Sequence, residues 1–160
     1  MSPPMTAPPP AGAVPRIRVI HGPNLNLLGS REPEVYGHCT LADLDARLQQ
    51  EGTALGVRVD CHQSNSEGAI IDLVHSAAAD HGGIVINPGG YTHTSVAIAD
   101  ALRAVDVPAV EVHLSNIFAR EALRQRSITA AACVGVVMGL GPASYSLALR
   151  HLAASAVART

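Results

Sequence analysis

Arg31 and Tyr36 lie five apart in the segment GPNLNLLGSREPEVYG, and Glu111 and His113 lie two apart at the end of the run PAVEVH. Each pair offers acid–base chemistry near neutrality. A free tyrosine titrates near pH ~10, so only about 0.1% is phenolate at pH 7. A neighbouring guanidinium can lower that by about 1–3 units, which makes the phenolate a workable general base. Spacing alone equally allows Tyr36 to rest on a glycine turn with Arg31 in solvent. In a strand, positions i and i+2 share a face, so Glu111 could set the tautomer of His113 and hold a proton on it for donation. The ordinary alternative for a histidine at a strand end is a hydrogen-bonded core residue.

Other polar residues fall at comparable places. Asn87 and His93, in NPGGYTHTS, are candidate hydroxyl binders, though either would also serve as a turn or cap residue. Arg120 and Arg124 lie one helical turn apart in AREALRQR and could hold a carboxylate. On an amphipathic helix such a pair more often forms a solvated face. The remaining histidines show no ligand spacing, and Cys39, Cys61 and Cys133 show no CxxC pattern, so no metal and no disulfide framework is expected. All 11 Lys+Arg positions are arginine. A chain without lysine cannot form a Schiff base, anchor pyridoxal phosphate or build a Walker A loop.

These groups need a scaffold that brings them together. Short β-branched runs (16–20, 57–64, 84–87, 108–113 and 133–139) alternate with helical patterns. The helical stretches begin near Thr40, Glu67, Ser95 and Ala143, and a polar, helical stretch separates the fourth and fifth strands. Thr40 and Asp43 have capping-box spacing, Leu41, Leu44 and Leu48 share a face, and Gly56 closes the pattern. The second helix is expected over 67–83, closed by glycines. Five strands alternating with helices predict a flavodoxin-like, doubly wound five-stranded parallel sheet in a three-layer α/β/α sandwich. In such sheets ligands bind beyond the carboxyl ends of the strands, where strand order reverses. All of the polar segments above follow strands. The first connection, roughly nineteen residues, exceeds the usual βα length and suits a lid.

With 160 residues and 48% hydrophobic content, one domain over 16–158 is expected, preceded by a disordered Pro-rich tail over 1–15. A formal net charge of −2 provides no basic footprint for nucleic acid or membrane. A reducing, cytoplasmic setting is expected.

At these residues the chain resembles the type II 3-dehydroquinate dehydratases. The resemblance runs from Ile17 to Leu149 through GPNLNLLGSREPEVYG, QSNSEG, INPGGYTHTSVAIADAL, VEVHLSNIFAREALRQRS and GLGPASYSLAL. It implies elimination of water from 3-dehydroquinate, without metal or cofactor, through an enolate to 3-dehydroshikimate. By this resemblance Tyr36 takes the C2 proton and Arg31 supports the tyrosinate. Asn24 orients the site, and His113 protonates the departing C1 hydroxyl. Asn87, His93, Leu114, Ser115 and Arg124 match substrate-binding positions, with the amides of Leu114 and Ser115 suited to a carboxylate. Asp100 matches an acid that reaches a neighbouring subunit, and the implied assembly is a homododecamer, a tetramer of trimers. Three residues depart from the usual pattern. His21 stands where a small polar or apolar residue is usual, Gly90 stands for alanine, and Ser144 for glycine. A flavin or nucleotide binder would need a Ser/Thr/Gly phosphate loop and aromatic residues to stack on the ring. A receiver domain would need a lysine. A catalytically silent homologue is the remaining alternative.

Overall fold

The computed structural model describes residues 12–30, 34 and 38–160. Arg31, Tyr36 and the first eleven residues of the Pro-rich stretch therefore lie outside the described residues. Strands β1 (Arg16–His21), β2 (Arg58–Gln63), β3 (Gly83–Asn87), β4 (Ala109–His113) and β5 (Gly135–Met138) form one sheet in the order β2-β1-β3-β4-β5. Every pairing is parallel. This is the flavodoxin-like order, and strand order reverses between β1 and β3.

Side-chain alternation sends the strand residues to two cores. Ile17, Val19, Val85, Val110 and Val112 face α1 (Leu41–Ala54) and α4 (Ala143–Val157), against Leu44, Leu48, Leu149 and Leu152. Ile20, Ile84 and Ile86 face α2 (Glu67–Ala77) and α3 (Val96–Ala104), against Ile70, Val74, Ile98 and Leu102. The expected capping box opens α1: the Thr40 hydroxyl accepts from Asp43 N and the Asp43 carboxylate accepts from Thr40 N. Ser66 and Ser95 cap α2 and α3 in the same sense.

Two expectations need correction. The second helix stops at Ala77 rather than reaching the glycines: Ala78 N, Ala79 N and Asp80 N bond three residues back, to His75 O, Ser76 O and Ala77 O, which tightens the chain into turns, and Gly83 already belongs to β3. A Cβ on Gly83 would come within 3.1 Å of Leu152, so strand and α4 meet here over bare backbone. The stretch between β4 and β5 is not a helix but three short 3₁₀ turns, at Ile117–Ala119, Ala122–Arg124 and Thr129–Ala132. Among its larger apolar side chains Ile117 is buried, whereas Phe118 and Leu123 are exposed, so no continuous apolar stripe holds a helix together.

Candidate active site

The carboxyl ends of β1, β3 and β4 open into a cleft of about 210 Å³. That is below the ~300–1,000 Å³ common for drug-sized ligands and suits a small metabolite. Among the sequence-derived candidates, Asn24, Asn87, His93, His113, Leu114, Ser115 and Arg124 all line it, with Arg120 and Gly90. Asp100 does not. It lies exposed on α3 and pairs with Arg103.

The loop after β1 is locked by close backbone approach. A Cβ on Gly22 would fall 2.6 Å from the Pro88 carbonyl, and Gly22 N donates to Asn87 O at 2.7 Å. Gly89, at φ +58, meets Pro23 O in return. Asn24 is the sole positive-φ residue other than glycine among the described residues, a conformation that asparagine tolerates. Its N–H donates to Asn65 Oδ1, which also accepts from Gln63 Nε2. Gln63 and Asn65 thus fix the β1 wall from the second strand.

Glu111 is fully buried at the end of β4, and the expected contact with His113 is present: His113 Nε2 lies 2.7 Å from Glu111 Oε1. Sequence reading missed the rest of its surroundings. Ser127 Oγ donates to Oε1 at 2.8 Å, Thr129 Oγ1 donates to Oε2 at 2.5 Å, and Thr92 Oγ1 lies 3.2 Å from Oε1. Burial alone would raise this carboxyl, but the hydrogen bonds from His113, Thr129 and Ser127 outweigh it and hold Glu111 below its ordinary value. An ionised carboxylate accepts only, so His113 carries its hydrogen on Nε2, leaving Nδ1 for the cleft. The hydroxyl residues sit in generic turn sequence, and only the three-dimensional return of 127–129 over β4 reveals them.

His93 is oriented in the opposite sense. Its Nδ1 donates to the Arg126 carbonyl at 2.7 Å, so the neutral ring presents Nε2 to a ligand as an acceptor. Arg124 Nε donates to Glu121 Oε1 at 2.6 Å, which aims the guanidinium while its terminal nitrogens remain for the cleft. The 3₁₀ turns, in place of the expected helix, bring Arg120 and Arg124 to the cleft.

The departures from the family pattern also take definite places. Ser144 is buried and its Oγ accepts from Leu140 N, closing the turn into α4. A Cβ on Gly90 would meet nothing within 4 Å, so glycine here leaves the cleft a methyl roomier. His21 is fully buried, with Nδ1 3.0 Å from Tyr145 Oη and Nε2 2.7 Å from Asp45 Oδ1.

Fold and cleft together define a flavodoxin-like α/β protein with an acid–base site at its topological switch point. It carries donors and acceptors for a small, oxygen-rich ligand. The chain belongs to the family described as Dehydroquinase class II, which it matches over residues 15–153. It is 58% identical over 139 residues to the 3-dehydroquinate dehydratase of Rhodopseudomonas palustris (strain BisA53), covering 86% of this chain and 92% of that protein. Identity to the enzyme of that name from Synechococcus sp. (strain CC9605) is 55% over 136 residues, covering 85% and 93% of the two chains. Among solved structures, type II dehydroquinase from Propionibacterium acnes superimposes with a TM-score of 0.84 at 46% identity, over 87% of this chain and 96% of that one.

Proposed function

We propose that the protein is a 3-dehydroquinate dehydratase, a hydro-lyase that removes water from 3-dehydroquinate to give 3-dehydroshikimate. The observation that carries this reading is the buried Glu111–His113 pair at the mouth of a cleft in a chain of this family. Tyr36, activated by Arg31, takes the proton from C2, alpha to the ketone, and the electron pair moves onto the carbonyl oxygen as an enolate. Asn24, which lines the cleft, orients the site. The enolate then collapses, the C1–O bond breaks, and the hydroxyl leaves as water with a proton from His113. For this step His113 carries a second hydrogen: the ring keeps Nε2–H toward Glu111 and gives up the hydrogen on Nδ1, and the ionised carboxylate balances the positive ring beforehand. Asn87, His93 and Arg124 hold ring hydroxyls, and the amides of Leu114 and Ser115 hold the carboxylate.

The catalytic unit spans 16–158 and assembles as a homododecamer, a tetramer of trimers, with Asp100 reaching a neighbouring subunit. Its exposed place on α3, away from its own cleft, supports that role. The setting is cytoplasmic. Among the described residues no helix is long and apolar enough to cross a membrane. Purified protein mixed with 3-dehydroquinate is expected to develop the ultraviolet band of a conjugated enone, unchanged by EDTA or borohydride. A folded oligomer that produces no band is a silent homologue, and the reading fails.

A further inference from the structure

We propose that His21 is a positioning residue: by accepting the Tyr145 hydrogen it preserves the Asn87 amide orientation that Gly89 N sets, and so what the cleft binds there. The directions of the hydrogen bonds follow from one backbone group. Gly89 N can only donate, and it donates to Asn87 Oδ1 at 3.1 Å. The other end of the amide, Nδ2, therefore faces Tyr145 Oη and donates to it at 3.0 Å. Tyr145 is fully buried in α4, and burial pushes its hydroxyl far above the usual range, so it keeps its hydrogen. With Asn87 as donor, that hydrogen has one partner left, His21 Nδ1 at 3.0 Å. His21 then carries its own hydrogen on Nε2 and donates to Asp45 Oδ1 at 2.7 Å. The chain Asn87→Tyr145→His21→Asp45 leaves every member satisfied, and the second Nδ2 hydrogen of Asn87 remains for the cleft that Asn87 lines.

His21 is needed because β1 and β3 place it directly beside Asn87 in register, with both side chains on the α1/α4 face. Without an acceptor there, the phenol hydrogen would turn toward Asn87 and compete with Gly89 for Oδ1. The site would then lose its fixed donor. The ligand group selected at this position is a hydrogen-bond acceptor, such as a hydroxyl or carbonyl oxygen.

A metal centre is the rival use of the same residues, since His21, Asp45 and Cys61 bring ligand atoms within 4.8 Å of one another. Ligation by Nε2 would move the imidazole hydrogen to Nδ1. Tyr145 Oη would then accept from both His21 and Asn87, and its own hydrogen would be stranded in a fully buried site. A hydrogen left without an acceptor in a site closed to water is strongly unfavourable. The hydrogen count favours the relay.

The catalytic part of this inference rests on the proposed dehydratase reading; the tautomer part does not. Nitrogen-15 imidazole spectra of the full chain are expected to show His21 with hydrogen on Nε2 and an acceptor Nδ1. The Nδ1–H tautomer, or zinc retained after dialysis and bound by His21, overturns the relay whether or not the protein turns over substrate. In turnover, Tyr145→Phe and Asp45→Ala are expected to raise KM for 3-dehydroquinate about tenfold while kcat stays within about threefold. Asp45→Asn keeps an acceptor for His21 and is expected to restore KM. An unchanged KM in Tyr145→Phe, a loss confined to kcat, or no rescue by Asp45→Asn overturns it.

Discussion

Two buried polar networks flank this cleft, on opposite faces of one sheet, and they are built on opposite plans. On the α2/α3 face, donors converge: His113, Ser127, Thr129 and Thr92 all point at the single carboxylate of Glu111. On the α1/α4 face, groups that both donate and accept run in series from Asn87 to a half-exposed Asp45. Convergent donors stabilise a charge, whereas a series of neutral links transmits an orientation. The difference teaches that burial serves two purposes here. One network keeps a buried carboxylate ionised beside His113, and the other, by the relay proposed above, decides which face of an amide a ligand meets.

Removing the charge at the convergent centre has the largest expected effect. Glu111→Ala leaves His113, Ser127 and Thr129 without their common acceptor, and loss of one partner from a buried ionic pair costs about 3–5 kcal/mol. Turnover is expected to fall by about 10²–10⁴, the usual range for a general acid. Urea unfolding and steady-state kinetics check both numbers, and a turnover loss below tenfold would show that the carboxylate is dispensable to His113. Next comes Thr129→Val, which keeps shape and deletes one donor to an ionised acceptor, for about 1.5–3 kcal/mol in urea unfolding. Ser127→Ala, at a half-buried site, is expected to cost about 1 kcal/mol or less by the same measurement. The three values should fall in that order, from the lost acceptor to the buried donor to the half-buried one. Equal losses at all three positions would mean that the cradle acts only by packing.

The smallest effect, and the one that best separates the networks, is on pH. Glu111 titrates lower in the folded protein than in the unfolded chain. Its contribution to stability is therefore complete above the unfolded value of about 4.3 and is lost as pH falls through the lower folded value. Glu111→Gln is expected to flatten the acid limb of urea midpoints measured from pH 7 downward. Tyr145→Phe, in the other network, is expected to leave that limb parallel to wild type. A parallel acid limb in Glu111→Gln would place the acid sensitivity elsewhere.

Much of this architecture was legible in the sequence because it rests on local rules. The alternation of apolar residues in RIRVI and PAVEVH assigned the strands, Thr40 and Asp43 marked a helix start, and Glu111 and His113 declared their shared face by spacing. Asn87, His93 and His113 followed once strand order put their loops at one edge, whereas Asn24, Leu114 and Ser115 came from the family resemblance. What stayed hidden depends on contacts between distant segments. Thr129 and Ser127 look like turn residues until the chain folds back over β4. His21 and Tyr145 are 124 residues apart and meet only because α4 crosses the end of β1. The helical spacing of Arg120 and Arg124 misled about the element alone, for the converse reason: it is a local signal, and the lack of an apolar face to bury overrode it.

The mutual fit of Gly22 against Pro88 and of Gly89 against Pro23 has an evolutionary side. Two loops that occupy each other's missing side chains cannot drift independently, since a bulkier residue in one demands a retreat in the other. They should be inherited, and grafted by an engineer, as a single unit.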